Sequence, residues 1–207
     1  MPDARSRSKR TDAVRNRQQL LDAAAAVFLD SGVNAPVRQV AERAGVGMGT
    51  LYRHFPTRAD LVVAVYRHQV DAAAEAGPRL LRDGSDPAEA LQSWIALFVD
   101  FLVTKHGLAD ALNGDAESFA VLHRYFLDRL VPVCAELLDA AAPGGAPIAA
   151  YTLLRGVGNL CIGGAAAEYD PGELARLLVA GILSRREISS SRERRTPSTD
   201  GNPLSAT

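Results

Sequence analysis

Apolar residues recur along most of this chain at helical rather than strand spacing. Between about Ala13 and Ser31, Leu20, Leu21, Ala24, Val27 and Phe28 share one face, which predicts an amphipathic helix. Thr11 or Asp12 stands where a cap belongs, and Ser31-Gly32 ends the segment. A different pattern follows from Arg38 to Phe55. Val40, Ala41 and Ala44 form the apolar face of a short helix, and Gly45 can take the left-handed conformation that stops it. Val46 restarts the core, which Leu51 and Phe55 continue, while Thr50, Arg53 and His54 point elsewhere. Thr57, after Pro56, is placed to cap a long helix that runs to about Ala76, where Gly77-Pro78 is expected to stop it.

The second half reads the same way. Asp86-Pro87 opens a helix with proline at its first position, and Leu91, Trp94, Ile95, Phe98, Val99, Phe101 and Leu102 make it apolar around much of its girth. Gly107 and Gly114 bracket a short helical piece, and a helix from about Glu117 to Ala142 carries a bend at Pro132. Pro143-Gly144-Gly145 is a loop. Ile148 to Ile162 is uncharged apart from Arg155 and ends at Gly163-Gly164. Asp170-Pro171-Gly172-Glu173 sets cap, proline and acid in helix-start order, for a helix to about Arg186. The Ser-, Arg- and Pro-rich stretch from Ser189 reads as disordered. The chain is therefore expected to be all-α.

A short helix, a glycine turn and a second helix with a polar face form the geometry that sets side chains into a DNA major groove. The segment Ala41-Glu42-Arg43-Ala44-Gly45-Val46-Gly47-Met48-Gly49-Thr50-Leu51-Tyr52-Arg53-His54-Phe55, followed by Pro56-Thr57-Arg58-Ala59-Asp60-Leu61, resembles the DNA-binding segment of the TetR family of bacterial transcriptional regulators. The likeness covers roughly residues 14–66. Beyond it the chain is like the family only in helical character and length. The resemblance implies an N-terminal three-helix helix-turn-helix domain and a C-terminal helical ligand-binding and dimerisation domain. The boundaries expected are a basic disordered arm over 1–12, the helix-turn-helix over 13–57, a linking helix over 58–76, the body over 77–187 and a disordered tail over 188–207.

The resemblance also implies roles. Arg38 leads the first motif helix and matches positions that reach a base edge, where arginine can bind guanine O6 and N7. Thr50 can touch a thymine methyl or a phosphate. Tyr52 and His54 match positions that contact the DNA backbone, and Arg58, where lysine is usual, can grip phosphate. Arg53 is less fixed by the pattern and is a candidate base reader. Gly47 and Gly49 flank Met48 at the start of the recognition helix. Each costs about 1 kcal/mol against alanine in a helix interior, and close approach of the backbone to DNA is the expected compensation. Family members often carry a larger polar residue where Gly47 stands. Specificity then rests on Arg38, Thr50, Arg53 and groove shape. Arg43 reads as a solvated surface charge. The arm residues Arg5, Arg7, Lys9 and Arg10 suit a minor groove or a solubilising tail equally.

Charge agrees with this division. The net charge of −1 hides an asymmetry: residues 1–68 hold eleven bases and six acids, a net +5, which leaves −6 on the remainder. No apolar run reaches the roughly 18 residues that span a bilayer, and residues 1–17 lack the apolar stretch of a secretory signal. A cytoplasmic protein is expected. The two cysteines, Cys134 and Cys161, make no disulfide framework, and no Cys/His spacing suggests a metal. No cofactor is expected. No nucleophile–base pair, paired carboxylates or phosphate loop points to catalysis, so the chain is not read as an enzyme.

For the body, the resemblance implies a homodimer on a near-palindromic double-stranded DNA operator, with the last two helices as the interface. Leu153, Leu154, Val157 and Leu160, then Leu174, Leu177, Leu178 and Ile182, are the packing candidates, with an internal core as the competing account of the same pattern. A pocket for an unidentified small-molecule effector is expected among Trp94, Phe98, Phe101, Phe119, Leu122, Phe126 and Tyr151, with His123, Arg155 and Asn159 as polar groups. Arg155, alone on an apolar helix, must find a partner: an acid of the other subunit or an anionic ligand. The leading expectation is a repressor released from DNA by a ligand. The alternative is a regulator without a small ligand, controlled by a protein partner or by thiol oxidation.

Overall fold

The computed structural model describes residues 4–84, 86–105, 116–162, 166 and 168–193. Among them are eight helices: α1 (Ala4–Ser31), α2 (Val37–Arg43), α3 (Met48–His54), α4 (Arg58–Arg82), α5 (Pro87–Lys105), α6 (Ala116–Ala141), α7 (Ala150–Leu160) and α8 (Pro171–Glu193). The fold is all-α, as expected. The only β pairing among the described residues is one isolated bridge, Ala166 to Tyr169, in the α7–α8 connection. The short piece expected between Gly107 and Gly114 lies outside the described residues.

Helix α1 buries the face its periodicity marks, with Leu20, Leu21, Ala24, Val27 and Phe28 all in the core. It begins at Ala4 and so takes in residues 4–12 of the arm expected over 1–12. From Ala4 to Leu20 no glycine or proline interrupts an arginine-rich run, so nothing local stops the helix from extending. At its other end Gly32, at φ +76°, turns the chain away.

Helix α4 joins the two halves. Thr57 and Asp60 form a reciprocal cap: the Asp60 amide donates to the Thr57 hydroxyl at 3.1 Å, and the Thr57 amide donates to the Asp60 carboxylate at 3.0 Å. The helix does not stop at Gly77-Pro78 but continues to Arg82 and ends before Gly84, at φ +78°. Tertiary packing overrides the local stop signal. Gly77 is buried where α4 meets α6 so closely that a Cβ would lie 2.3 Å from Val133 Cγ1. The Trp94 indole of α5 donates to the carbonyl of Ala73 at 2.8 Å, one residue before the carbonyl that Pro78 leaves without its helical donor.

Leu61, Val62, Val65, Tyr66, Val70, Ala73 and Ala76 of α4 form the spine of one continuous core. Its first turns pack with α1 and the α2–α3 pair; its later turns pack against α5 and α6, on which α7 and α8 are layered. At the head of α8, Asp170 Oδ1 accepts from the amides of Gly172 and Glu173 at 2.8 and 3.2 Å, with Pro171 at the first helical position. That helix continues to Glu193, past the expected end near Arg186.

Candidate functional site

The α2–α3 turn is built by backbone hydrogen bonds. The Val46 amide donates to Ala41 O at 3.0 Å and the Gly45 amide to Glu42 O at 3.1 Å, a double closure that needs the left-handed φ of +67° at Gly45. Val40, Ala41, Leu51 and Phe55 anchor both helices in the core. With Leu51 inside, Tyr52 and Arg53 are turned to solvent, and Tyr52 is 48% exposed. Arg38 on α2 and Gly47 and Gly49 at the start of α3 are also exposed. Thr50 and Met48 are half-buried, Met48 packed on the core edge. His54 is half-buried beside Phe55, ring centroids 6.2 Å apart.

A Cβ at Gly47 or Gly49 would meet nothing within 4 Å, so the protein's own packing does not require either glycine. Arg38 Nε donates to Glu42 Oε1 at 2.7 Å, one helical turn on. An exposed pair of this kind is worth about 0.3–0.5 kcal/mol, so the guanidinium is released easily to a better acceptor. Arg43 pairs with Asp30 of α1 at 2.7 Å, which ties it to the protein surface. Arg58, expected as a phosphate clamp, is half-buried at the head of α4. Its Nη2 donates to the carbonyls of Val33 and Ala35, the latter at 2.9 Å, and so clasps the α1–α2 loop onto the head of α4.

A second feature lies in the body. A cavity of about 440 Å³ opens between α5, α6 and α7. Phe98, Phe119, His123, Phe126, Tyr151, Arg155 and Asn159 line it, so seven of the ten residues expected there are brought together. The other three lie behind the wall. Trp94 stacks on Phe98 at 6.0 Å with its indole hydrogen bond filled by Ala73. Phe101 packs between Tyr66 and Phe126, and the Leu122 carbonyl accepts from the Tyr66 hydroxyl at 3.4 Å. Burial pushes the Tyr66 phenol well above its ordinary range. Leu102, Leu127, Leu154, Gly158 and Ile162 also line the cavity and were not anticipated there. Leu127 follows His123 by one turn, and Leu154 and Gly158 follow Tyr151 by one and two, so helical spacing from the named residues could have found them.

The residues expected at a dimer interface divide. Leu153, Leu154 and Val157 are buried inside the single chain, facing α6 and α8, so the core account holds for them. Leu174, Leu177 and Leu178 are 37%, 63% and 36% exposed and form an apolar stripe on α8. Leu160 and Ile182 are half-buried. Both cysteines are buried. Burial raises both thiols, pushing Cys134 up to about 12.

One cluster was not legible in the sequence. Asp71 of α4 accepts from the Tyr125 hydroxyl at 2.6 Å and from Arg129 at 2.5 and 3.0 Å, both on α6. The partners lie more than fifty residues away along the chain, beyond the reach of any local pattern. Among the described residues no group of three metal-ligating side chains occurs, and no helix is long and apolar enough to cross a membrane.

The α2–turn–α3 unit, with its polar face outward on a small helical domain, defines a helix-turn-helix DNA-binding regulator. Residues 20–65 match the family model for bacterial regulatory proteins of the tetR family. The chain is 32% identical to the TetR transcriptional regulator SCO0520 of Streptomyces coelicolor, superposing with a TM-score of 0.62 over 82% of this chain and 97% of that one. The structure of LfrR from Mycobacterium smegmatis, determined in complex with proflavine, shares the fold at 23% identity and a TM-score of 0.52, over 82% of this chain and 93% of that one. The HTH-type transcriptional activator FasR of Mycolicibacterium smegmatis is 35% identical over 97 residues, which are 46% of this chain and 44% of FasR. The match thus spans less than half the length of that relative. The chain belongs to the TetR family.

Proposed function

We propose that this chain works as a homodimer that holds a two-fold symmetric operator and is released from it, as a repressor, when a small molecule fills the body cavity. The observation that carries the reading is the cavity's position. Its walls come from α5, α6 and α7, and α5 and α6 are the helices on which α4 rests. Helix α4 begins four residues after α3 ends and is tied to the α1–α2 loop by Arg58. A ligand that favours one arrangement of α6 therefore biases the direction in which the readers point. A protein of the same fold, LfrR, has been determined in complex with a small molecule, proflavine, which is in keeping with a ligand-responsive reading.

Arg38, Thr50 and Arg53 are assigned to base edges, and Tyr52 and His54 to phosphate. Gly47 and Gly49 let the α3 backbone, with Met48 between them, lie close to the groove. Arg58 supports this face from behind through the loop carbonyls. The exposed α8 stripe of Leu174, Leu177 and Leu178 is assigned to the dimer contact. Thiol oxidation is disfavoured as the control signal, because both cysteines are buried and held protonated.

The test is selection of binding sites from a random duplex pool, repeated with Arg38→Ala and Tyr52→Ala. The expected result is a two-fold symmetric site whose preference is relaxed by Arg38→Ala and whose affinity falls with Tyr52→Ala. Recovery of only unordered, salt-sensitive binding would overturn the operator reading. Transcription from that operator with and without protein then separates repression from the activation that FasR is named for.

A further inference from the structure

We propose that the cavity takes a flat aromatic carboxylic acid, its ring against the phenylalanine wall and its carboxylate on Arg155. This rests on the reading of the cavity as the effector site and names its ligand class. Two opposed walls carry the argument. On α5 and α6 the rings lie nearly parallel: Phe119 and His123 at 6.4 Å and 6°, His123 and Phe126 at 5.8 Å and 17°, Phe126 and Phe98 at 5.8 Å and 24°. A wall of rings so aligned suits a planar aromatic ring in offset stacking better than a bulky or branched group.

The α7 wall carries polar groups among apolar ones. Tyr151, Arg155 and Asn159 follow one another at four-residue intervals along α7 and all line the same cavity. The Arg155 guanidinium is positioned by one hydrogen bond, from Nη1 to the Tyr151 hydroxyl at 3.2 Å. Among the described residues no carboxylate pairs with it, and no lining residue is acidic. Aromatic walls by themselves also attract cations. The positive charge of Arg155, with no acidic residue beside it among the described lining, favours an anion over a cation. A carboxylate at the mouth would gain a charge-assisted pair with the planar fork of Arg155, with Tyr151 and Asn159 as flanking donors.

The experiment titrates the full-length protein with four probes: 2-naphthoate, 2-naphthylmethanol, 2-naphthylmethylammonium and decanoate. Binding is read by isothermal titration calorimetry, because the naphthyl probes absorb and emit where Trp94, the chain's single tryptophan, does. The expected order places 2-naphthoate about tenfold or more tighter than the alcohol, a difference of about 1.4 kcal/mol or more, because only the carboxylate forms a charge-assisted pair with Arg155. The ammonium ion and decanoate should bind more weakly still. Arg155→Gln, a change at an exposed position, should bring acid and alcohol to within about twofold, mainly by weakening the acid.

Equal or tighter binding of the ammonium ion, the alcohol or decanoate overturns the proposal, as does failure of 2-naphthoate to bind. A preference for the acid that survives Arg155→Gln also overturns it. So does loss of dimerisation in Arg155→Gln with that preference intact, which would assign the guanidinium to the partner subunit. Operator affinity, measured in the same samples, keeps the two readings apart. Arg155-dependent binding of naphthoate with no change in operator affinity would sustain the ligand class and remove ligand control. Release of DNA by the neutral alcohol, equally well, would sustain ligand control and remove the ligand class.

Discussion

Gly45 and Gly49 stand four residues apart and obey opposite physics. Gly45 holds φ +67° with open space around it, so alanine there meets no clash but must adopt a left-handed backbone. That strain is about 1–2 kcal/mol. Gly49 lies inside α3 with no left-handed φ and equally open space, so alanine should raise helix stability by up to about 1 kcal/mol. Thermal unfolding should therefore shift down for Gly45→Ala and up for Gly49→Ala. Operator affinity should fall for both, in Gly49→Ala despite the gain in stability, because its new methyl projects where the backbone nears the groove. A Gly49→Ala protein that is both more stable and equally tight on DNA would show that the backbone does not approach the groove there.

At the scale of elements, helix faces were legible and helix ends less so. The buried face of α1, the Gly45 turn, the Thr57 cap and the Asp170-Pro171 start are all local: each is decided by residues within one turn of one another. Gly77-Pro78 is local too, yet it reads as a stop and stands inside α4, because the deciding partner is Val133 on α6. The same limit split the α7 leucines, since periodicity marks an apolar face without saying which neighbour covers it. Seven cavity residues were foreseeable as aromatic or polar groups on apolar helices, whereas Trp94 was misplaced by one layer because its size favours a pocket wall and its indole found a carbonyl instead. Gly77→Ala tests the helix crossing directly. With 2.3 Å between the new Cβ and Val133 Cγ1, the two helices must part, at a cost of about 1–3 kcal/mol. Urea unfolding should show the loss, and Val133→Ala in the same chain should recover part of it. Equal losses in the single and double variants would mean that Val133 is not what opposes the new methyl.

The whole molecule hangs on one shared core, and two consequences can be measured. The first concerns pH. Tyr66, Cys134 and Cys161 are buried and hold their protons above the ordinary range. The unfolded chain releases them near the ordinary values, about 8.5 for cysteine and 10 for tyrosine. The stability these groups contribute is complete below those values and is lost as pH rises from them toward the folded-state values. The Tm should be level from about pH 6 to 8 and fall from about pH 9 upward, less steeply in Cys134→Ala. A Tm level through pH 11 would remove these groups from the alkaline balance. The second concerns communication. Helix α6 lines the cavity with His123 and Phe126, and it holds α4 through Tyr125 and Arg129, which meet on one oxygen of Asp71. The Tyr66 hydroxyl adds a second tie, to Leu122. On the proposed ligand control, a displacement of α6 would reach α4 through a carboxylate whose partners lie next to the cavity residues in sequence. Asp71→Asn keeps the shape and weakens the tie. It should leave ligand affinity for the free protein unchanged and cut the ratio of operator affinities without and with ligand by roughly twofold or more. Equal shifts in both affinities would make Asp71 a stabilising contact only, and coupling would then have to pass through the packed rings of Tyr66, Phe101 and Phe126.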